Sequence, residues 1–218
     1  MRSPVKEGIF VKKILLLVVV AICLVIGGKQ YQQHKMAEEI AGKIIRFHVL
    51  ANSDSQEDQN LKLEVRDAIG AFMQPRLANV TDIESSRQIV QESIPDIEQK
   101  AEEVISEKGY TYTVSARLSN IDFPEKTYGP YTFQAGNYEA LEVVIGEGEG
   151  HNWWCVMYPN LCFFNSTYEV VDAEAEKSLE QILTPEEYQS LMEDKNYEIK
   201  FAFLDFWKDI KESVAIFH

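Results

Sequence analysis

The chain has 218 residues, with 45% hydrophobic and 11% aromatic side chains, enough apolar material to bury a core and too much for a disordered chain. Its formal net charge is −14, which argues against nucleic-acid binding and against attachment of the body to an anionic bilayer. The charge is also uneven: positions 1–28 hold four basic residues and one acid, so positions 29–218 hold 17 basic and 34 acidic residues, a net of −17.

Ile14 to Ile26 form an unbroken apolar run behind Lys12 and Lys13. A basic start and an apolar core of this length are the parts of an export signal. With Gly27 and Gly28 the run is still short of the roughly 20 residues of a comfortable membrane span. Residues 1–28 therefore read as a signal peptide or a signal anchor, with membrane contact confined to residues 9–28 if the segment is retained. The charge ahead of the run keeps the N-terminus inside and sends the acidic body across. Residues 29–42 are polar and read as a linker or helical stalk, and 43–218 as one exported domain.

Within that domain the spacing predicts elements in sequence. Ile45, Phe47 and Val49 alternate with Arg46, His48 and Leu50, a strand pattern; His48 is expected on the polar surface of the sheet. Ala51 to Ser55 end the strand and offer helix caps. Leu61, Val65, Ile69 and Phe72 mark an amphipathic helix that Pro75 should stop. Thr81 with Glu84 suggests a capping box for the next helix. Ser93-Ile94-Pro95 suggests a break, Ile97 to Ile105 a continued stripe, and Gly109 a C-terminal cap. Tyr110–Ile121 and Tyr138–Ile145 alternate as strands, with turns at Tyr128-Gly129-Pro130 and Ala135-Gly136-Asn137. Glycines 146, 148 and 150 with Glu147 and Glu149 read as a flexible acidic loop. Helices follow at Asp172–Leu183 and after Thr184-Pro185-Glu186-Glu187, then a strand at Tyr197–Leu204 and a charged tail from Lys208 to Phe217. Helices and strands interleave without a βαβ rhythm. The expected class is α+β, with an antiparallel or mixed sheet and several amphipathic helices.

The chemistry on offer is sparse. There is no HExxH, GxSxG or phosphate-binding loop in the sequence. His151, with Glu147, Glu149 or Cys155, is the one hydrolytic arrangement worth weighing. Asp54, Glu57 and Asp58 invite a calcium reading, but they lack the glycine and closing glutamate of an EF-hand loop, and helix capping accounts for them. No metal or cofactor is expected. Cys155 and Cys162 are the two cysteines of the exported part; such a pair reads as a disulfide, with two buried free thiols as the alternative. In a strand, adjacent Trp153 and Trp154 must point to opposite faces, one into a core and one outward.

Two strings are unusual enough to carry a resemblance: Leu50-Ala51-Asn52-Ser53-Asp54-Ser55 with Asp58-Gln59 and Leu61-Lys62, and Asn152-Trp153-Trp154-Cys155-Val156 with Pro159 and Leu161-Cys162-Phe163. Together with the N-terminal segment they resemble the stage II sporulation protein R family. The resemblance runs from about Lys43 to Phe164 and is looser beyond. It implies a protein exported from the forespore into the space facing the mother cell. There it would activate a membrane-embedded aspartic protease, the peptidase that processes the sigma-E precursor. It implies a ligand and not an enzyme, with no catalytic residues to carry over. The candidate contact residues are those of the two strings: Asn52, Asp54, Asp58, Asn152, Trp153 and Trp154. An exported envelope hydrolase and a membrane-anchored binding module are the alternatives.

Overall fold

A computed structural model describes residues 4–159, 161 and 173–192. Helix α1 (Pro4–Ala41) is continuous for 38 residues, so the polar stretch after the apolar run is helical stalk. By length and composition it is able to cross a membrane. Its apolar side chains from Leu16 to Ile26 stand exposed, while Ile40 at its far end is buried in the core of the domain.

The domain is built on a mixed four-stranded sheet in the order β2-β5-β1-β6. Strand β1 (Ile45–Leu50) is central, parallel to β5 (Gly136–Ile145) and antiparallel to β6 (Asn152–Tyr158). Strand β2 (Val114–Phe123) lies outside β5, antiparallel to it. A two-residue turn at Gly129-Pro130 joins the short strands β3 (Lys126–Tyr128) and β4 (Tyr131–Phe133), which form a separate hairpin. Gly129 adopts a φ of 55° there, a conformation open to glycine.

Helices α2 (Gln56–Leu77) and α3 (Ile83–Glu107) supply the apolar stripes of one layer. Leu61, Val65, Ile69 and Met73 from α2 join Val90, Ile97, Ala101 and Ile105 from α3 in one buried core with Phe47, Val49, Leu141 and Val143 of the sheet. Ser55 caps α2, accepting from the Asp58 N–H. The α3 cap differs from expectation by one residue: Asp82, not Thr81, accepts from the Ser85 N–H at 2.8 Å. Gly109, at φ 80°, ends α3 as expected, and the Tyr110 N–H returns to the Ile105 carbonyl.

Both expected proline breaks are absent. Pro75 lies within the last turn of α2, where only two residues follow it. Pro95 lies inside α3, which continues because Val90, Ile97 and Ala101 on either side of it are fully buried. A missing N–H removes one helical bond; sequestering that stripe outweighs it.

Helices α4 (Ala173–Ile182) and α5 (Pro185–Met192) follow as expected. Thr184 and Glu187 form the reciprocal capping box, with the Thr184 N–H donating to Glu187 Oε2 at 2.7 Å and the Glu187 N–H to Thr184 Oγ1 at 3.3 Å. The expected strand at 197–204 and the tail lie outside the described residues. The class is α+β, as the periodicities imply.

Candidate functional site

The sheet has a second buried face, which the turn expected around Gly129 did not suggest. Arg46, His48, Tyr138 and Glu142 alternate with the helix-facing residues and point to it. The β3–β4 hairpin folds over this face. Arg46 is fully buried there, its guanidinium 4.4 Å from the Phe123 ring centre, 4.9 Å from Tyr138 and 5.3 Å from Phe133. Its Nη2 donates to the Tyr128 hydroxyl at 3.1 Å, which in turn donates to the Trp154 carbonyl at 3.0 Å. Burial pushes the Arg46 pKa down, against the raising influence of Tyr128 and Tyr138. The cation is held by ring quadrupoles and one hydroxyl.

His48 is also buried, not surface-exposed as its polar neighbours in sequence suggested. Trp154 stacks on it, with ring centroids 3.9 Å apart and planes 4° from parallel. Its Nε2 lies 2.8 Å from Asn152 Oδ1 and its Nδ1 3.5 Å from Glu142 Oε1, while Arg117 pairs with the second oxygen of Glu142. Asn152, Trp153, Trp154, Lys126, Thr127 and Tyr128 line a cleft of about 250 Å³ between the hairpin and the start of β6. Trp153 points the other way, into the helix-facing core, edge-on to Phe47 at 5.4 Å and under Arg66 at 5.0 Å. The two tryptophans thus divide between faces as strand geometry requires.

The first string builds a different feature. Asp58, near the start of α2, is buried and accepts from Asn52 Nδ2 at 2.9 Å and Ser53 Oγ at 2.6 Å. Burial pushes its carboxyl up, but the bonds from Ser53, Asn52, Tyr112 and Ser55 together outweigh this and hold it below the usual carboxylate range. Asn52 then turns its Oδ1 to the Glu147 N–H and its backbone carbonyl to the Glu149 N–H, at 3.1 and 3.2 Å. The Ala51 carbonyl takes the Gly150 N–H at 3.0 Å. Asp54 accepts from the His151 N–H at 2.6 Å and also meets the His151 ring. Lys62, buried on α2, donates to the His151 carbonyl at 2.8 Å. The glycine loop is therefore laced to residues 51–54 and is not free, contrary to the flexible loop expected. Its glycines are required by proximity: a Cβ on Gly150 would lie 2.2 Å from the Ser53 carbonyl oxygen.

This placement gives the six candidate residues distinct roles. Asn52 and Asp58 point inward and hold the loop. Asp54 and Asn152 remain exposed, Trp154 is half-buried at the cleft, and Trp153 is core. The structure does not pair His151 with Cys155: the exposed His151 ring faces Asp54, whereas Cys155 is buried on β6 opposite Phe47. Cys162 lies outside the described residues. Among the described residues no three metal-ligating side chains converge. Arg46, Glu142, Arg117, Lys126 and Tyr128 were not singled out from sequence; an arginine and a histidine alternating on a central strand were the available signal.

These features define a class: an α+β domain carried on the end of a membrane-length helix, with a cleft beside a buried cation and an internally bonded loop. A family model described as stage II sporulation protein R matches residues 41–168. Stage II sporulation protein R of Bacillus subtilis (strain 168) is 34% identical over 185 residues, covering 78% of this chain and 83% of that relative. No solved structure matches. The chain belongs to the stage II sporulation protein R family, and its role is in sporulation.

Proposed function

We propose that this protein is an intercellular signal of sporulation, exported from the forespore to activate the membrane-embedded aspartic protease that processes the sigma-E precursor. Membership of the family is the observation that carries this reading. The membrane-length helix α1 supports delivery across or to a membrane, either as a cleaved signal or as a retained anchor. The acidic body supports recruitment by a specific partner, because anionic bilayers on either side repel it. The protein acts by binding the protease's active arrangement more tightly than its inactive one, the condition for a ligand to shift an equilibrium.

One contact surface in this reading is the cleft at Trp154 and Asn152 with the adjoining Asp54 loop. A half-buried aromatic with polar neighbours is the kind of group that anchors a protein contact. Asn52 and Asp58 act through the loop that they hold. A disulfide between Cys155 and Cys162 belongs to the same reading, since export takes the chain to an oxidising side. Deleting the gene tests the whole: the sigma precursor should remain unprocessed while the peptidase is still made, and normal processing in that strain rejects the proposal.

A further inference from the structure

Strand β2 closes one side of the sheet with an unpaired edge. In an antiparallel pair, alternate residues turn both backbone groups toward the partner strand, and those between turn both away. Two bonds fix the parity here. Thr113, just before β2, turns its carbonyl inward to the Gly146 N–H at 2.9 Å. Ala116 turns its N–H outward, donating to Glu98 Oε1 at 2.8 Å. The backbone groups of Leu118, Asn120 and Asp122 therefore point outward with those of Ala116, and among the described residues none of them is paired.

Such an edge is a template for another strand unless it is blunted. β2 contains no proline or lysine, and its register with β5 runs without a bulge from Val114 to Phe123. Glu98 covers one N–H near its start and leaves the rest. The cations near the rim are already paired, Arg87 beside Asn120 with Glu84 and Glu139, and the charges left over are acidic. Asp122 accepts only an amide, from Asn137 at 2.8 Å, and neither it nor Glu98 has an ion-pair partner among the described residues. Arg117, the strand's own cation, is held by Glu142.

We infer that the outer edge of β2, from Leu118 to Asp122, receives an extended segment of a partner protein bearing lysine or arginine side chains, added to the sheet as a fifth strand. Main-chain bonds supply the affinity and the acidic rim selects the partner. A second copy of this chain is disfavoured as the occupant, because it would set two such rims and two bodies of net charge −17 against each other.

The inference rests on the activating role proposed above, with the membrane protease as partner. Asn120→Pro removes one outward N–H and no bond within the sheet, and outer strands tolerate proline; Asn120→Ala keeps the N–H. Both are compared in cells co-expressing the full chain, the peptidase and the sigma precursor. Asn120→Pro is expected to lower processing by about tenfold, the effect of leaving one or two partner bonds unmade, while Asn120→Ala retains it. Wild-type processing by a folded Asn120→Pro protein overturns the inference and leaves the activating role intact. Absence of processing with the wild-type chain rejects the activating role instead. In that case, or if the proline variant does not fold, amide exchange decides. The Leu118 and Asn120 N–H groups of the wild-type protein should slow on adding detergent-solubilised peptidase, and unchanged exchange overturns the inference. A wild-type dimer that Asn120→Pro converts to a monomer also overturns it, assigning the edge to a second copy.

Discussion

The indole of Trp154 lies flat on the imidazole of His48, 3.9 Å away, and the two rings join the β6 string to the central strand. His48 is buried between this indole and Phe123, with Asn152 at one nitrogen and Glu142 near the other. Burial pushes its pKa below the ordinary imidazole value, against the raising effects of Asn152 and Glu142.

A pH dependence follows. The folded state prefers neutral His48, so below the ordinary value of about 6.5 the unfolded chain takes up a proton that the folded chain refuses. This contribution to stability is complete above that value and declines as pH falls toward the folded-state pKa. Urea midpoints measured at about pH 7.5 and about pH 5.5 should show the decline. His48→Phe should reduce it, and an unchanged slope would remove His48 as the source.

Asp58 has the same sign for a different reason. Its carboxyl is held low by donors, so its contribution is present above the unfolded carboxylate pKa and is lost as pH falls through the folded value. Asp58→Ala leaves Asn52 and Ser53 without their acceptor and should destabilise the domain by about 2–3 kcal/mol. Thermal unfolding checks it.

How much of this was legible depended on whether a signal was local. The stripes of α2 and α3, the alternation in β1 and β5, and the Thr184–Glu187 box are local patterns, and they appear where the spacing puts them. Burial of Arg46 and His48 was not legible, because Arg46 is covered by a hairpin some 80 residues downstream and His48 by Asn152 and Trp154, more than 100 residues downstream. Gly146 to Gly150 read as flexible from composition alone. The restraint comes from Ala51 and Asn52, nearly 100 residues earlier in the chain. Pro95 gave a local signal that tertiary burial on both sides of it overrode.

The laced loop makes its own prediction. Gly150→Ala drives a Cβ into the Ser53 carbonyl, whereas the same change at Gly136 meets only the Tyr138 ring at 3.5 Å. The first should lower the melting temperature well beyond the second. Equal melting temperatures would show that the loop yields freely.

The cleft can be tested without disturbing the core. Lys126 and Thr127 line it from the hairpin. Lys126→Ala and Thr127→Ala should change stability by no more than about 0.5 kcal/mol, as surface substitutions do, yet lower protease activation if the cleft is the contact. Trp153→Ala should differ in stability, losing about 3 kcal/mol through the cavity that its buried indole leaves. Chemical denaturation run beside the processing assay separates the two.

The most direct measurement of the central claim is reconstitution in a non-sporulating host. The peptidase and sigma precursor are expressed there with and without this protein, and the precursor is followed by immunoblot. The activating role predicts cleavage only when all three are present. Cleavage independent of this protein, or none with a folded and exported chain, contradicts it.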